Sequence, residues 1–299
     1  EPGKNPISLK NLKIDSEVIY VPLRFTFCTD PKKPLPIIAL QNSEIYIDIK
    51  LRDLHDCISV LEILNDEYFH SDVRHKIVNI DEVSLLGCFY YVDLEERKKL
   101  ATSEFEILFT QTQLRTQEMN TQSTLEIDFN HVVKDLIFFI QPQSHIKYGE
   151  YFNWSNKMNY LPVQLKNISQ TKLWNLEPQK HLLSKARMLF NGIERIEWRD
   201  HKYFYFLQNH ENYKNSLESY VYVYSFNIGP TRDSNYSGCN FSRLSNAQLQ
   251  LVSNSNNFVV DTNPQIKYPG QDTYILKCYA TNYNILIIKN GVCGLKYSS

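Results

Sequence analysis

The sequence predicts an all-β sandwich with one short capped helix; strand runs and aromatic usage carry the first expectation and a capping signal the second. Strand-length runs of alternating or continuous apolar residues recur along the chain, roughly eight or nine of them beyond residue 104, separated by polar loops. The chain carries 20 Tyr and 16 Phe in 299 residues, rings of the kind that pack well on pleated, half-buried surfaces. A complete helix-start signal occurs at Asp93 (Asp93-Leu94-Glu95-Glu96): an N-cap carboxylate with an acidic residue three positions on, followed by helix formers to Ala101.

Composition limits the function classes. With 42% hydrophobic and 22% charged residues, the chain has enough apolar material for one large or two modest cores, which excludes wholesale disorder. Thirty-two Lys and Arg against 33 Asp and Glu remove the electrostatic footprint of a dedicated duplex nucleic-acid binder. Only 9 Gly are present, without the spacing of a P-loop or dinucleotide fingerprint. The longest apolar runs, such as residues 136–140, fall far short of the roughly 20 residues needed to cross a bilayer. The chain opens on Glu1, without Met or an apolar leader, and so reads as a fragment or a processed product. Cys28, Cys57, Cys88, Cys239, Cys278 and Cys293 form no Cys-x-x-Cys pair and read as free thiols of a reducing compartment. Asn-x-Ser triplets at Asn153, Asn167, Asn235 and Asn240 arise by chance in such a composition and do not establish secretion.

The elements are expected in this order. Leu23, Phe25 and Phe27 alternate with polar neighbours, and prolines at 31, 34 and 36 close that run. Residues 44–52 alternate without a fault, placing Ile45, Ile47, Ile49 and Leu51 on one face of a half-buried strand. Residues 54–80 lose the pattern and read as a short helix followed by a polar connector; residues 85–92 form a fresh strand, and the helix behind Asp93 follows. Further strands are expected at residues 105–109, 125–129, 136–140, 186–190, 203–207, 220–228, 247–252, 274–279 and 283–288. Residues 141–185, with Trp154 and Trp174, lack steady periodicity and form a long excursion. The set suggests a sandwich or jelly roll.

Few constellations promise chemistry. Glu126 and Asp128 share one face of a strand, about 7 Å apart along it, a spacing open to paired glycosidase carboxylates. They resemble the Glu-x-Asp-x-Glu signature of laminarinase-type glycoside hydrolases, but the third position is Asn130, so the general acid is missing. The plainer reading is a solvated strand face over a core of Leu125, Ile127 and Phe129, with Glu104 and Glu106 repeating it. His70 and His75 fall on different faces of either a helix or a strand, and His55-Asp56-Cys57 lacks the partners that would converge on a metal. Arg195, Arg199, His201 and Lys202 among Trp198, Tyr203 and Tyr205 are offset by Glu194, Glu197 and Asp200, which gives a mixed-charge surface and not a single-strand platform. Tyr220, Tyr222 and Tyr224, with Val221 and Val223 between them, read as a strand buried on both faces. No catalytic, cofactor or metal residue is assigned, and the chain is expected not to be an enzyme.

Several separated segments resemble one family in order. Val21-Pro22-Leu23-Arg24-Phe25-Thr26-Phe27, then Leu35-Pro36-Ile37-Ile38-Ala39-Leu40-Gln41, the Glu95-Glu96-Arg97 helix, Asp128-Phe129-Asn130-His131-Val132-Val133-Lys134, Asn191-Gly192, Cys239-Asn240-Phe241-Ser242-Arg243-Leu244-Ser245-Asn246 and Ala280-Thr281-Asn282-Tyr283-Asn284 are similar to runs of the double jelly-roll major capsid proteins of nucleocytoplasmic large DNA viruses, in their C-terminal half. The resemblance implies that residues 1–54 are the closing strands of a first jelly roll, 55–80 a linker and 81–299 a second jelly roll. It implies a structural protein that forms homotrimers of pseudo-hexagonal outline, contacts neighbouring capsomers and minor capsid proteins, and tiles an icosahedral virion shell assembled in the host cytoplasm. No cofactor, transmembrane segment or sequence-specific nucleic-acid contact is implied. Trimer contacts are expected on the longest loops, anchored by Trp154 or Trp174. The alternative is a carbohydrate-active or carbohydrate-binding β-sandwich using Glu126 and Asp128.

Overall fold

Two antiparallel sheets face each other across an apolar core in the C-terminal two thirds of the chain. The computed structural model describes residues 18–29, 31, 33–53, 60–64, 67–71, 82–147, 149–159, 161–162, 179–213, 220–227, 237–254 and 273–297. The strands are β1 (Val60–Leu64), β2 (Glu67–Ser71), β3 (Phe105–Glu118), β4 (Gln122–Glu126), β5 (Val132–Pro142), β6 (Leu161–Pro162), β7 (Leu183–Phe190), β8 (Ile193–Asp200), β9 (Tyr222–Ser225), β10 (Cys239–Asn240), β11 (Ala247–Ser253), β12 (Tyr274–Lys289) and β13 (Val292–Leu295). One sheet centres on β12, with β3 on one side and β5 then β13 on the other; β9 and β10 add to the outer edge of β5. The facing sheet runs β4-β11-β7-β8.

Alternation decides which residues the sheets share. β12 turns Leu276, Cys278 and Ala280 inward, β5 turns Leu136, Phe138 and Ile140, and from the opposite sheet come Leu249, Leu251, Ala186, Met188 and Leu125. Each large aliphatic side chain taken from water contributes roughly 1.5–3 kcal/mol, so this interface holds the sandwich together. The small Cys278 and Ala280 on β12 lie beside the larger Phe138 and Leu136 of β5, their register neighbours. Phe138 meets Phe204 edge-on and Tyr222 obliquely, both at 5.6 Å between ring centres, near one end of the core. A second aromatic group, Phe129, Phe190, Phe226 and Phe241, packs elsewhere in the same core, Phe241 touching each of the other three.

Further along β12 the inward residues change character. Asn282 and Asn284 are buried and joined to Gln111 and Gln113 of β3 by amide hydrogen bonds of 2.9–3.4 Å, as buried polar groups require. Beyond them Leu286 and Ile288 enter a separate small core with Leu35, Ala39, Leu40, Phe105 and Ile107. Residues 35–42 are therefore docked on the far end of the sandwich. Asn42 fixes it there: its N–H donates to Gly291 O at 2.9 Å and its side-chain amide to Asn290 O at 3.3 Å.

The helix after Asp93 forms as its cap predicts. It spans Leu94–Thr102, and Asp93 Oδ1 accepts from the Glu96 N–H at 2.9 Å. The expected strands at 105–109, 136–140, 186–190 and 247–252 all lie within longer ones, and 274–279 with 283–288 are a single strand, β12. The strand expected at 125–129 pairs as residues 122–126, and that at 220–228 as 222–225. Residues 221–226 are buried, so two-sided burial holds for Tyr222 and Tyr224, while Tyr220 is half-buried and precedes the strand.

Five expectations are corrected. Residues 203–207 are a π-helical turn running into the helix Gln208–Tyr213, not a strand: Phe204 is buried against Phe138 while Phe206 is exposed, so one helical face supplies the packing that alternation seemed to promise. Residues 23–28 hold a one-turn helix, Thr26–Thr29, instead of a strand. The connector at 54–80 carries a hairpin, β1 with β2, to which β6 adds in parallel; β-branched Val60 and Ile63 suit that geometry. Residues 44–52 and 85–92 have no ladder partner among the described residues, and Ile45, Ile47, Ile49 and Leu51 are all exposed. Alternation marks a strand only where a second backbone is present to pair with it.

Candidate functional site

Glu126 and Asp128 line an open cleft of about 550 Å³, together with Arg115, Asn130, Ser242, Ser245 and Asn246. The cleft arises where β4 ends. Glu126 pairs with Gln248 in the sheet, and the chain then runs on past Phe129, whose ring is core, to His131, which turns it at φ 66. Side chains of β3 stitch this run down. Arg115 Nε meets Asp128 Oδ1 at 2.5 Å and Nη2 donates to Asp128 O at 3.0 Å. Gln113 and the Asn130 backbone exchange two hydrogen bonds, at 2.9 and 3.0 Å. Ser242 Oγ accepts from the His131 N–H at 2.8 Å.

That geometry defines what the cleft can do. The Arg115 guanidinium holds the Asp128 carboxyl below the usual carboxylate range, and Asp128 in turn raises Arg115. Asp128 therefore stays ionised and bound, and cannot act as a general acid; in the third position of the signature stands Asn130, whose backbone is committed to Gln113. A glycosidase needs one carboxyl to carry a proton, and Asp128, held by Arg115, is not suited to that role. The two carboxylates expected from sequence line the same cleft, but Asp128 serves as a tether between β3 and the run that follows β4. Arg115, the residue that decides this, sits on the half-buried face of β3 beside Gln113 and was not singled out in the sequence.

The remaining candidates separate similarly. Trp198 is flanked by Lys185 and Arg187, at 5.0 and 4.8 Å from its ring centre, and Arg187 binds Glu194 while Arg199 binds Glu197. The mixed-charge reading of this surface is thus realised as ion pairs. Among the described residues, no group of three His, Cys, Asp or Glu is placed to hold a metal, and no helix is long and apolar enough to cross a membrane. The side chains of His55, Asp56, Cys57, His70 and His75, the residues Asn167, Trp174 and Asn235, and most of the loop at 253–272 lie outside the described residues.

In the excursion after β5, the segment 143–159 is internally tied. His145 Nδ1 donates to Asn153 O at 2.8 Å, and the Asn153 amide donates to Glu150 at 2.6 Å and to Lys157 O at 2.9 Å. The Asn153 triplet is therefore a structural turn whose side chain is already committed. Trp154 packs on Phe139 with centroids 4.8 Å apart, its buried indole N–H has no acceptor, and Phe152 stands edge-on to it, 83% exposed.

Comparison with known proteins places this sandwich. A family model described as the large eukaryotic DNA virus major capsid protein matches residues 96–294, which contain both sheets, and one for the major capsid protein N-terminus matches residues 7–93. The major capsid protein of Phaeocystis pouchetii virus is 24% identical over 94% of this chain and 65% of its own length. That of Paramecium bursaria Chlorella virus 1 is 27% identical over 94% and 66%. The chain thus spans just under two thirds of the length of these relatives. A chain of the PBCV-1 virus capsid shares the fold, with a TM-score of 0.54 at 24% identity over 70% of this chain and 55% of that one. A capsid family model thus matches nearly the whole two-sheet sandwich, and the chain belongs to the large eukaryotic DNA virus major capsid protein family.

Proposed function

We propose that this chain is the shell-forming part of a capsid subunit, a structural component of the virion and not an enzyme. The observation that carries the reading is the family match across residues 96–294, the same residues that build the rigid two-sheet body. In this reading residues 1–54 are the closing strands of a first jelly roll, 55–80 connect, and 81–299 are the second. The exposed row Ile45, Ile47, Ile49 and Leu51 supports it, because a contiguous apolar row open to water is the kind of surface that further polypeptide covers.

Three copies associate into a pseudo-hexagonal capsomer, which contacts neighbouring capsomers and minor capsid proteins in the virion; assembly takes place in the host cytoplasm. Phe152 and Trp154, together with Trp174, anchor the trimer. Aromatic side chains supply large contact area at low entropic cost, and Phe152 is exposed beside Trp154. Light scattering after size exclusion tests the reading: a trimer mass supports it, and W154A/W174A leaves a monomer that retains the far-ultraviolet spectrum of the parent. A monomeric parent at micromolar concentration, alone and with the upstream region included, counts against it.

A further inference from the structure

Residues 201–213 cross from β8 in one sheet to the connection leading to β9 in the other, and they are held at two ends by different chemistry. At the far end Gln208 Oε1 accepts from the Ser225 N–H at 3.2 Å, and the Ser225 hydroxyl donates to Asp135 at 2.7 Å. The near end rests on a cluster of rings. His181, just before β7, stacks on His201 with centroids 4.4 Å apart, and Tyr205 and Tyr220 stand edge-on to it at 4.8 and 4.7 Å. Its Nδ1 lies 3.0 Å from the Tyr222 hydroxyl, and Tyr222 is buried.

The ring is built to be neutral. Facing it are Asp200 from the end of β8, His201 and Lys202 just beyond it, Tyr205 from the π-helical turn, Tyr222 from β9 and Tyr220 just before that strand. Of these only Asp200 favours a charge, and its carboxylate is already engaged by the Lys202 N–H at 2.6 Å. Burial first, then His201 and Lys202, hold the His181 imidazolium form down to a pKa of about 4. In the neutral ring Nδ1 can accept the Tyr222 hydroxyl proton; a proton on Nδ1 removes that acceptor.

We propose that His181 is the trigger of an acid-opened latch, in which a proton on its ring expels it from the His201, Tyr205, Tyr220 and Tyr222 cluster and frees the start of residues 201–213 from the sandwich. The sign follows from linkage. His181 binds its proton more weakly folded than unfolded, so its contribution is fully present above the unfolded value of about 6.5 and is lost as pH falls toward 4. Asp135 and Ser225 keep the far end attached, so the opening is local.

The test uses the full chain. Titration of the histidine Cε1–H resonances from pH 7.5 to 3.5 is expected to place His181 near pH 4. Amide exchange in residues 201–213, corrected for the intrinsic rate, is expected to rise about tenfold between pH 6.5 and 4 while β3 and β12 remain protected. H181Q holds that exchange flat over the same range, and H201Q moves the His181 midpoint upward. A His181 midpoint at or above 6.5 overturns the proposal, as does the same acid-induced exchange in H181Q. If H181Q does not fold, the titration of the parent protein decides alone.

Discussion

Ser225 and Asp135, 90 residues apart in the chain, meet as register partners on β9 and β5, and the serine hydroxyl donates to the carboxylate at 2.7 Å. Both are buried, and Lys134 approaches the other carboxylate oxygen at 3.7 Å. S225A removes one of the donors to a buried acceptor and is expected to lower unfolding free energy by about 1–3 kcal/mol. D135A strands Ser225 and the neighbouring Tyr213 hydroxyl, whose ionisation burial and Asp135 both oppose, and is expected to cost more than S225A. Urea unfolding at pH 7 reads both, and equal midpoints would deny the carboxylate its central place.

Two Asn-Gly turns permit a controlled comparison. Gly192 and Gly291 share a φ of +81, each following an Asn at positive φ. A methyl group at Gly192 meets nothing within 4 Å, whereas one at Gly291 falls 2.8 Å from Asn42 Nδ2 and 3.4 Å from its backbone N. G192A is expected to cost about 1 kcal/mol of left-handed strain alone. G291A adds displacement of Asn42 and so loosens the second core, which differential scanning calorimetry reads as the larger loss of Tm.

The thiols divide by burial. Cys28, Cys88 and Cys293 are exposed, while Cys278 lies in the core with its thiol pushed up to about 12 by burial. Maleimide at pH 7 is expected to label the exposed three within minutes and to spare Cys278 until urea unfolds the sandwich, because the thiolate is the reactive form. Peptide mass mapping assigns each site; early labelling of Cys278 would contradict the packing of β12.

The Arg115 to Asp128 tether predicts a modest, pH-limited effect. Asp128 is depressed in the folded protein, so its contribution is present above the unfolded carboxylate value and disappears as pH falls below it. Both side chains are substantially open to solvent, which keeps D128N within about 1 kcal/mol of the parent at pH 7. The two proteins are expected to converge at pH 2, as chemical denaturation at both values would show. Neither is expected to cleave β-glucans, and hydrolysis by the parent that D128N lacks would reopen the carbohydrate reading.

Legibility in the sequence tracked how local the cause was. The cap at Asp93 and the alternation of β5, β7 and β11 are written within single segments, and the structure follows them. Residues 203–207 failed because five consecutive apolar positions carry no period of their own, and burial of Phe204 against Phe138 favoured the helical turn. Residues 44–52 failed for the opposite reason, a clear period with no partner backbone among the described residues. At the cleft, Glu126 and Asp128 were visible, but the guanidinium that neutralises Asp128 comes from another strand. The His181 cluster gathers residues from three stretches of sequence, none of which signals the others.

β12 joins places that are otherwise separate. Over its 16 residues it passes from the main core, through the Asn282 and Asn284 rung, to the core that holds Ala39 and Leu40. Mechanically it is a beam. A pull along its axis loads the hydrogen bonds to β3 and β5 in shear, so they must yield together, whereas a pull across the sheet at the short β10 strand breaks a two-residue ladder one bond at a time. A shell built from such units would be stiff along the strands and weakest where its edges can peel.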